Sequence, residues 1–151
     1  MKRIRSLWLI ALFSVFAGYS LSRAETTLEK IDRSAVLVIG TRTGSPPFAY
    51  VNKNNEWVGF SIDLVEKAIL PVLNQKLNKQ IKLEKKESAP QTRIPLLTSN
   101  AVDLIAETMT DTQSRRDQVE FSLTFFATGA QFLVKKGSAI KGLQSIAGKR
   151  I

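Results

Sequence analysis

The chain of 151 residues contains no histidine and no cysteine. Without histidine there is no Ser-His-Asp triad, no imidazole proton shuttle and no histidine-bound metal. Without cysteine there is no disulfide framework, no thiolate zinc site, no thiol nucleophile and no acylated cysteine to tether an exported protein. Internal repeats and low-complexity tracts are also missing. What remains is ordinary for a globular protein, with 44% apolar and 23% charged residues. The length suits one compact domain, or one domain plus a processed leader.

The longest apolar stretch lies at the N-terminus. Lys2, Arg3 and Arg5 precede Leu7 to Leu21, a run broken by Ser14, Gly18, Tyr19 and Ser20. Ser22-Arg23-Ala24 then offers small residues on either side of Arg23, as a cleavage site before Glu25 requires. This is the layout of a secretory signal over residues 1–24. The alternative, an uncleaved anchor, calls for about 20 apolar residues. The 22 basic and 13 acidic residues give a formal charge of +9, and losing the leader lowers it to +5. The remaining basic residues are scattered, with Lys82, Lys85 and Lys86 the densest stretch. No basic face interleaved with stacking aromatics points to nucleic acid. The simplest destination is the periplasm of a two-membrane bacterium.

Along the mature chain, residues 25–34 read as a polar lead-in. Ala35 to Gly40 is a continuous apolar run of strand length, suited to a central strand covered on both faces. After Gly44-Ser45-Pro46-Pro47, Phe48 to Val51 and Glu56 to Phe60 flank the turn-rich Asn52-Lys53-Asn54-Asn55, a β-hairpin pattern. Ser61 is placed to cap a helix whose apolar residues Ile62, Val65, Ile69, Val72/Leu73 and Leu77 recur at three-to-four spacing. Pro71 inside it predicts a kink or an end. Ile81 to Leu83 predicts a short strand, Arg93 to Leu97 a short helix with Pro95 in its first turn, and Ala101 to Ala106 a third buried strand. Thr112 is placed to cap a helix to Asp117. Val119 to Phe121 and Ala130 to Val134 predict further strands, Leu143 to Ala147 a helical turn, and Lys149 to Ile151 the start of another strand. Strands alternating with helices give an α/β class with a mostly parallel sheet.

Several motifs carry chemistry. Gly40-Thr41-Arg42-Thr43-Gly44 follows a strand but lacks the Gly-Lys-Ser/Thr ending of a phosphate loop. It still lies just past the carboxyl end of a strand, where ligands sit in open α/β sheets. Arg42, Arg93 and Arg115 each stand at such a loop or at a helix start. Guanidinium pairs with carboxylate through two parallel hydrogen bonds, so three of them suit a ligand with more than one carboxylate; taken singly, each is also an ordinary surface charge. Thr108-Met109-Thr110 precedes Arg115 at a helix start, where free amides attract anions. Phe48, Tyr50, Trp57 and Phe60 read as packing and cross-strand pairs, with room for one of them to wall a pocket. Asp63 and Glu66 lie three apart on a helix and read as solvated surface rather than a catalytic pair.

In order, Val38-Ile39-Gly40, Pro47-Phe48, Gly59-Phe60-Ser61-Ile62-Asp63-Leu64, Val102-Asp103-Leu104, Thr108-Met109-Thr110, Arg115-Arg116 and Val119-Glu120-Phe121-Ser122 resemble the family 3 extracellular solute-binding proteins, the amino-acid receptors of ABC importers. The resemblance covers about residues 35–151. Gly40-Thr41-Arg42 and Gln91-Thr92-Arg93-Ile94-Pro95-Leu96-Leu97 resemble its glutamate/aspartate-binding branch. The resemblance implies a two-lobed periplasmic-binding fold of type II that closes on its ligand. Residues 25–127 would form most of lobe 1, and residues 128–151 the hinge crossing and the start of lobe 2, where the chain stops. It implies that Arg115 clamps an α-carboxylate, aided by Thr110. Thr108 would meet the α-ammonium, Arg42 and Arg93 would hold a side-chain carboxylate, and Phe60 would supply an apolar wall. Ser45 stands where many relatives place a stacking aromatic, and Pro90 where the acidic branch can offer a hydroxyl. Further implications are an inner-membrane ABC permease as partner, no cofactor or metal, no nucleic acid, a monomer, and binding no tighter than roughly millimolar for half a cleft.

Three other readings stay open on the residues alone: an enzyme on the same fold, the ectodomain of a sensor or channel, and a truncated remnant that binds nothing. Export with cleavage after Ala24 is expected. An N-terminal peptide beginning at Glu25 in a periplasmic extract checks it, and recovery of a chain that keeps its apolar leader would mark an anchored protein instead.

Overall fold

The computed structural model describes residues 24–129 and 131–148. In chain order the strands are β1 (Val36–Thr41), β2 (Gly44–Ser45), β3 (Ala49–Val51), β4 (Trp57–Val58), β5 (Lys82–Glu87) and β6 (Leu104–Ile105). The helices are α1 (Thr27–Ser34), α2 (Phe60–Leu64), α3 (Leu70–Leu77), α4 (Arg93–Thr98) and α5 (Gln113–Arg116). The class is α/β, as expected.

The apolar run before Gly40 becomes the central strand. β1 lies between β5 and β6 and is parallel to both, with Val36 opposite Lys82, Thr41 opposite Glu87, and Ile39 opposite Leu104. Leu37 and Ile39 are buried and join Ile31 of α1, Ile62, Val65, Ile81 and Ala106 in one core. The carboxylate of Asp103 ties this layer together. It accepts the Val38 amide at 2.8 Å and the Lys30 ammonium at 2.7 Å, so strand, helix and the approach to β6 share one buried anion. The third strand is shorter than residues 101–106 suggest, because only Leu104 and Ile105 enter the ladder.

Residues 27–34 are helical rather than a lead-in. Thr26 accepts the Glu29 amide at 3.2 Å while Glu29 accepts the Thr26 amide at 2.8 Å, a reciprocal cap that satisfies two free amides. Buried Ile31 fixes the helix to the sheet.

The aromatic segment forms an antiparallel sheet β2–β3–β4, with Tyr50 opposite Val58 and Val51 opposite Trp57. The helix that follows starts one residue before the expected cap. Gly59 is the N-cap, with φ of 126°. Ser61 lies inside the first turn and its hydroxyl has no partner among the described residues. The first amides are satisfied by the hairpin instead: Phe60 donates to the Pro47 carbonyl at 3.0 Å and Ser61 to that of Phe48 at 2.9 Å. Backbone acceptors at fixed positions thereby replace a side-chain cap.

Pro71 does not end the helix. A π-turn spans Val65–Ile69, closed by the Leu70 amide on the Val65 carbonyl, and α3 continues to Leu77 with Pro71 in its first turn. The wider turn lies directly before the residue that cannot donate, so its missing N–H falls at a junction rather than in a regular ladder. The helix closes at Asn78 in the left-handed region.

The described chain divides into two units, one ending at Val119 and one beginning at Glu120. From Val119 on, the expected strands at 119–121 and 131–134 are absent among the described residues; the latter prediction began at Ala130, which lies outside them. A strand needs a neighbour for its amides and carbonyls, and none pairs with these segments. Leu143–Ile146 forms the expected turn, as a 3₁₀ helix. The leader (1–23) and the predicted strand start at 149–151 lie outside the described residues. No helix among the described residues is long and apolar enough to cross a membrane.

Gly59 generates a stability prediction. A Cβ there would stand 2.4 Å from the Phe48 carbonyl oxygen, on a backbone angle that side chains resist. Gly59→Ala is expected to cost about 2–3 kcal/mol, read by urea denaturation. Gly44→Ala, whose Cβ would meet nothing within 4 Å, is the control and is expected to stay within about 0.5 kcal/mol of the parent.

Candidate functional site

The strand order places the site. β1 leads by one crossover to β5 on one side and by the next to β6 on the other, so the loops leaving the strands diverge at the carboxyl end of β1. Open parallel sheets bind ligands in such a crevice. Here the three strand ends are tied together. The buried Thr41 hydroxyl donates to the Ala106 carbonyl at 2.9 Å. The Ser88 amide donates to the Thr41 carbonyl at 2.8 Å, and Thr43 reaches the Glu87 carboxylate at 3.0 Å.

On this frame sits a charged cluster. The Arg93 side chain, on the first turn of α4, is 8% exposed and donates through Nη1 to Glu107 Oε1 at 3.0 Å and to the Thr108 carbonyl at 2.9 Å. Its Nε reaches the Pro90 carbonyl at 3.4 Å. The Glu107 carboxylate is fully buried. Its second oxygen accepts the Ser88 hydroxyl at 3.3 Å, and the charge of half-buried Arg42, just past β1, also acts on it. Burial pushes the Glu107 carboxyl above the usual carboxylate range, against the opposing pull of Arg93, Ser88 and Arg42.

Of the six residues singled out from the sequence, Arg93 and Thr108 are in direct contact, whereas Arg42 makes no hydrogen bond to either among the described residues and acts on Glu107 by its charge alone. Thr110 and Arg115 form a separate pair, the Arg115 guanidinium donating to the Thr110 carbonyl at 2.6 Å. Phe60 is half exposed at the start of α2 and meets Phe48 edge-to-face, with ring centres 6.4 Å apart. Thr112 makes no cap hydrogen bond and shares its hydroxyl with Ser114 instead, so the expected cap is not formed. Asp63 pairs with Lys67 on the exposed surface as expected, whereas Glu66 reaches Lys85 in a part-buried pair.

Glu107 is the residue that sequence reasoning passed over. Its signal was a carboxylate directly behind a buried strand, one short helix away from Arg93. Nothing in the cluster couples a nucleophile to a base, and no group of acidic side chains that could hold a metal occurs among the described residues. The arrangement can grip an anion or a zwitterion.

The chain belongs to the bacterial extracellular solute-binding proteins, family 3, which it matches over residues 37–144. It is 38% identical over 131 residues to a glutamate/aspartate import solute-binding protein of Salmonella typhimurium, covering 85% of this chain and 42% of that protein. It is 35% identical over 158 aligned positions to an ABC transporter glutamine-binding protein of Bacillus subtilis, covering 97% and 56%. Among solved structures, the arginine-bound form of domain 1 from TmArgBP (a Phe57Trp mutant) superposes with a TM-score of 0.58 at 28% identity, over 68% of this chain and 74% of that one. The chain thus spans about half the length of the curated relatives it matches.

The raised Glu107 carboxyl predicts a pH dependence of stability. The native state holds this proton more firmly than the unfolded chain, so stability falls as pH rises from the ordinary carboxyl value through the raised one. Glu107→Gln removes the titration. The melting temperature of the parent relative to this variant is expected to decline across that window. A difference that grows in the parent's favour with pH would contradict it.

Proposed function

We propose that this chain is the ligand-gripping lobe of a periplasmic receptor that delivers acidic amino acids, glutamate or aspartate, to an inner-membrane ABC permease. The observation that carries the reading is Arg93, buried and in contact with the Thr108 carbonyl, beside the carboxyl end of β1 from which Arg42 follows and acts by its charge on Glu107. Two guanidinium groups at one sheet edge favour a second carboxylate on the ligand. The glutamate/aspartate importer component of Salmonella typhimurium supports the acidic class, while the glutamine-binding relative shows how close a neutral ligand lies.

In this reading Arg115 and Thr110 clamp the α-carboxylate and Thr108 receives the α-ammonium. Either the Thr108 hydroxyl or its carbonyl, which already accepts Arg93 and keeps a second lone pair, can serve as that acceptor. Arg42 and the Nη2 edge of Arg93 hold the side-chain carboxylate, and Phe60 covers the apolar stem. The lobe runs over residues 25–127, and residues 128–151 begin the crossing to a second lobe; the compact unit ending at Val119 supports a break in this region. The receptor acts as a monomer and catalyses no reaction: the buried carboxylate is engaged by Arg93 and Ser88. The arginine-bound domain 1 of TmArgBP supports ligand capture by one lobe.

Calorimetric titration of the whole gene product tests this. Arg42→Ala is expected to weaken glutamate binding at least about tenfold, ~1.4 kcal/mol, and glutamine binding less. Unchanged glutamate affinity in that variant would overturn the acidic assignment.

A further inference from the structure

We infer that Glu107 is a specificity-determining residue that cancels the charge of Arg93, so that the site meets the ligand side chain with one uncompensated guanidinium, that of Arg42, rather than two. The inference rests on the proposed amino-acid site and deepens it.

The Arg93 side chain enters the site already paired. Glu107 Oε1 takes its Nη1 at 3.0 Å in a position where the carboxylate is fully buried and the guanidinium 8% exposed. In such surroundings a charge pair is weakly screened, and at the distance of a bound ligand its two members largely offset each other. The pair is also held in register. Ser88, at the end of β5, fixes the other carboxylate oxygen at 3.3 Å, and the Thr108 carbonyl shares Nη1 at 2.9 Å. Arg93 therefore keeps its hydrogen-bond donors aimed from α4 while contributing little net charge. Arg42, the remaining basic group acting on Glu107, stands on a loop and is half-buried.

The consequence concerns discrimination rather than affinity alone. A dicarboxylate and its amide analogue have almost the same shape, and net site charge separates them. With the Arg93–Glu107 pair neutral, the preference for glutamate over glutamine comes from Arg42 and is correspondingly modest. The preference should follow the summed charge of residues 93 and 107, whichever of them is altered.

The test is the ratio of glutamine to glutamate dissociation constants at pH 8, measured by calorimetry on the whole gene product and three variants. Glu107→Gln leaves the pair positive and is expected to raise the ratio about tenfold. Arg93→Gln leaves it negative and is expected to lower the ratio by a similar factor. The double variant restores neutrality and is expected to raise the ratio at least about threefold above that of Arg93→Gln alone, since both lack the Arg93 contact and differ only in the charge of residue 107. A merely structural role would weaken both ligands together and leave the ratio unmoved, and that result overturns the inference. If Glu107→Gln fails to fold, the single Arg93 variant and the double variant decide it. A parent that binds neither glutamate nor glutamine overturns the acidic receptor reading, and this inference with it. A parent that binds both, with ratios indifferent to the pair charge, overturns this inference alone.

Discussion

Everything in the site depends on β1 being hydrogen-bonded on both edges. A strand with parallel neighbours on each side has its carboxyl end fixed in two directions, so the chain leaving it and the chains leaving β5 and β6 emerge at one place. Thr41, Ser88, Glu107 and Arg93 would otherwise be unrelated polar residues of three distant segments. The ladder turns sequence separations of 65 positions into contacts such as that between Thr41 and the Ala106 carbonyl. The apolar character of β1 matters for the same reason. Leu37 and Ile39 sit in the core and hold the strand in register, so its polar end does not slide.

Against that frame, the buried Arg93–Glu107 pair is a poor source of stability and a good source of geometry. Removing two charges from water costs several kcal/mol for each ion, which their attraction offsets only when hydrogen bonds complete the arrangement. Ser88 and the Thr108 carbonyl supply those bonds. The upward push on the Glu107 carboxyl shows that its desolvation is not fully compensated. A site that keeps such a pair trades some fold stability for a guanidinium whose direction is set before any ligand arrives. The Arg115–Thr110 contact is the more exposed counterpart, with the arginine half-buried.

Much of this was legible in the sequence, and the misses share a cause. The β1 run, the hairpin around Asn52 to Asn55 and the short helix carrying Arg93 are set by local pattern, and each forms where that pattern puts it. The start of α2 was misplaced because its free amides find carbonyls of Pro47 and Phe48, which only the folded hairpin brings near. The strands expected at 119–121 and 131–134 have suitable composition, but a strand is defined by a neighbour and local pattern cannot supply one. The cap of α1 is different: Thr26 and Glu29 stand at the spacing of a capping box, and the signal was there to be read. Glu107 was passed over for a tertiary reason: its place behind the strand was readable, its burial was not. A glutamate in a polar stretch reads as solvated until the ladder brings Ser88 and Arg93 around it. Of the six residues carried over from the family pattern, Arg93 and Thr108 come into contact, and the buried partner of Arg93 emerged only from the contacts.

The same ladder has a consequence in time. Val38 finds the carboxylate it needs on Asp103, 65 positions later, so β1 cannot be completed when it is made. The hairpin and the helix that begins on its carbonyls close over short stretches of chain and form early, whereas the parallel sheet must wait for loop closures whose entropy is lost before any contact repays it. A chain delivered from its N-terminus therefore presents its most apolar strand unpaired while the local hairpin–helix unit is already in place. On topology, the arrival of β5 and β6 is the step expected to be slow, and the lysines of β5 are the kind of residues that discourage pairing of an open edge.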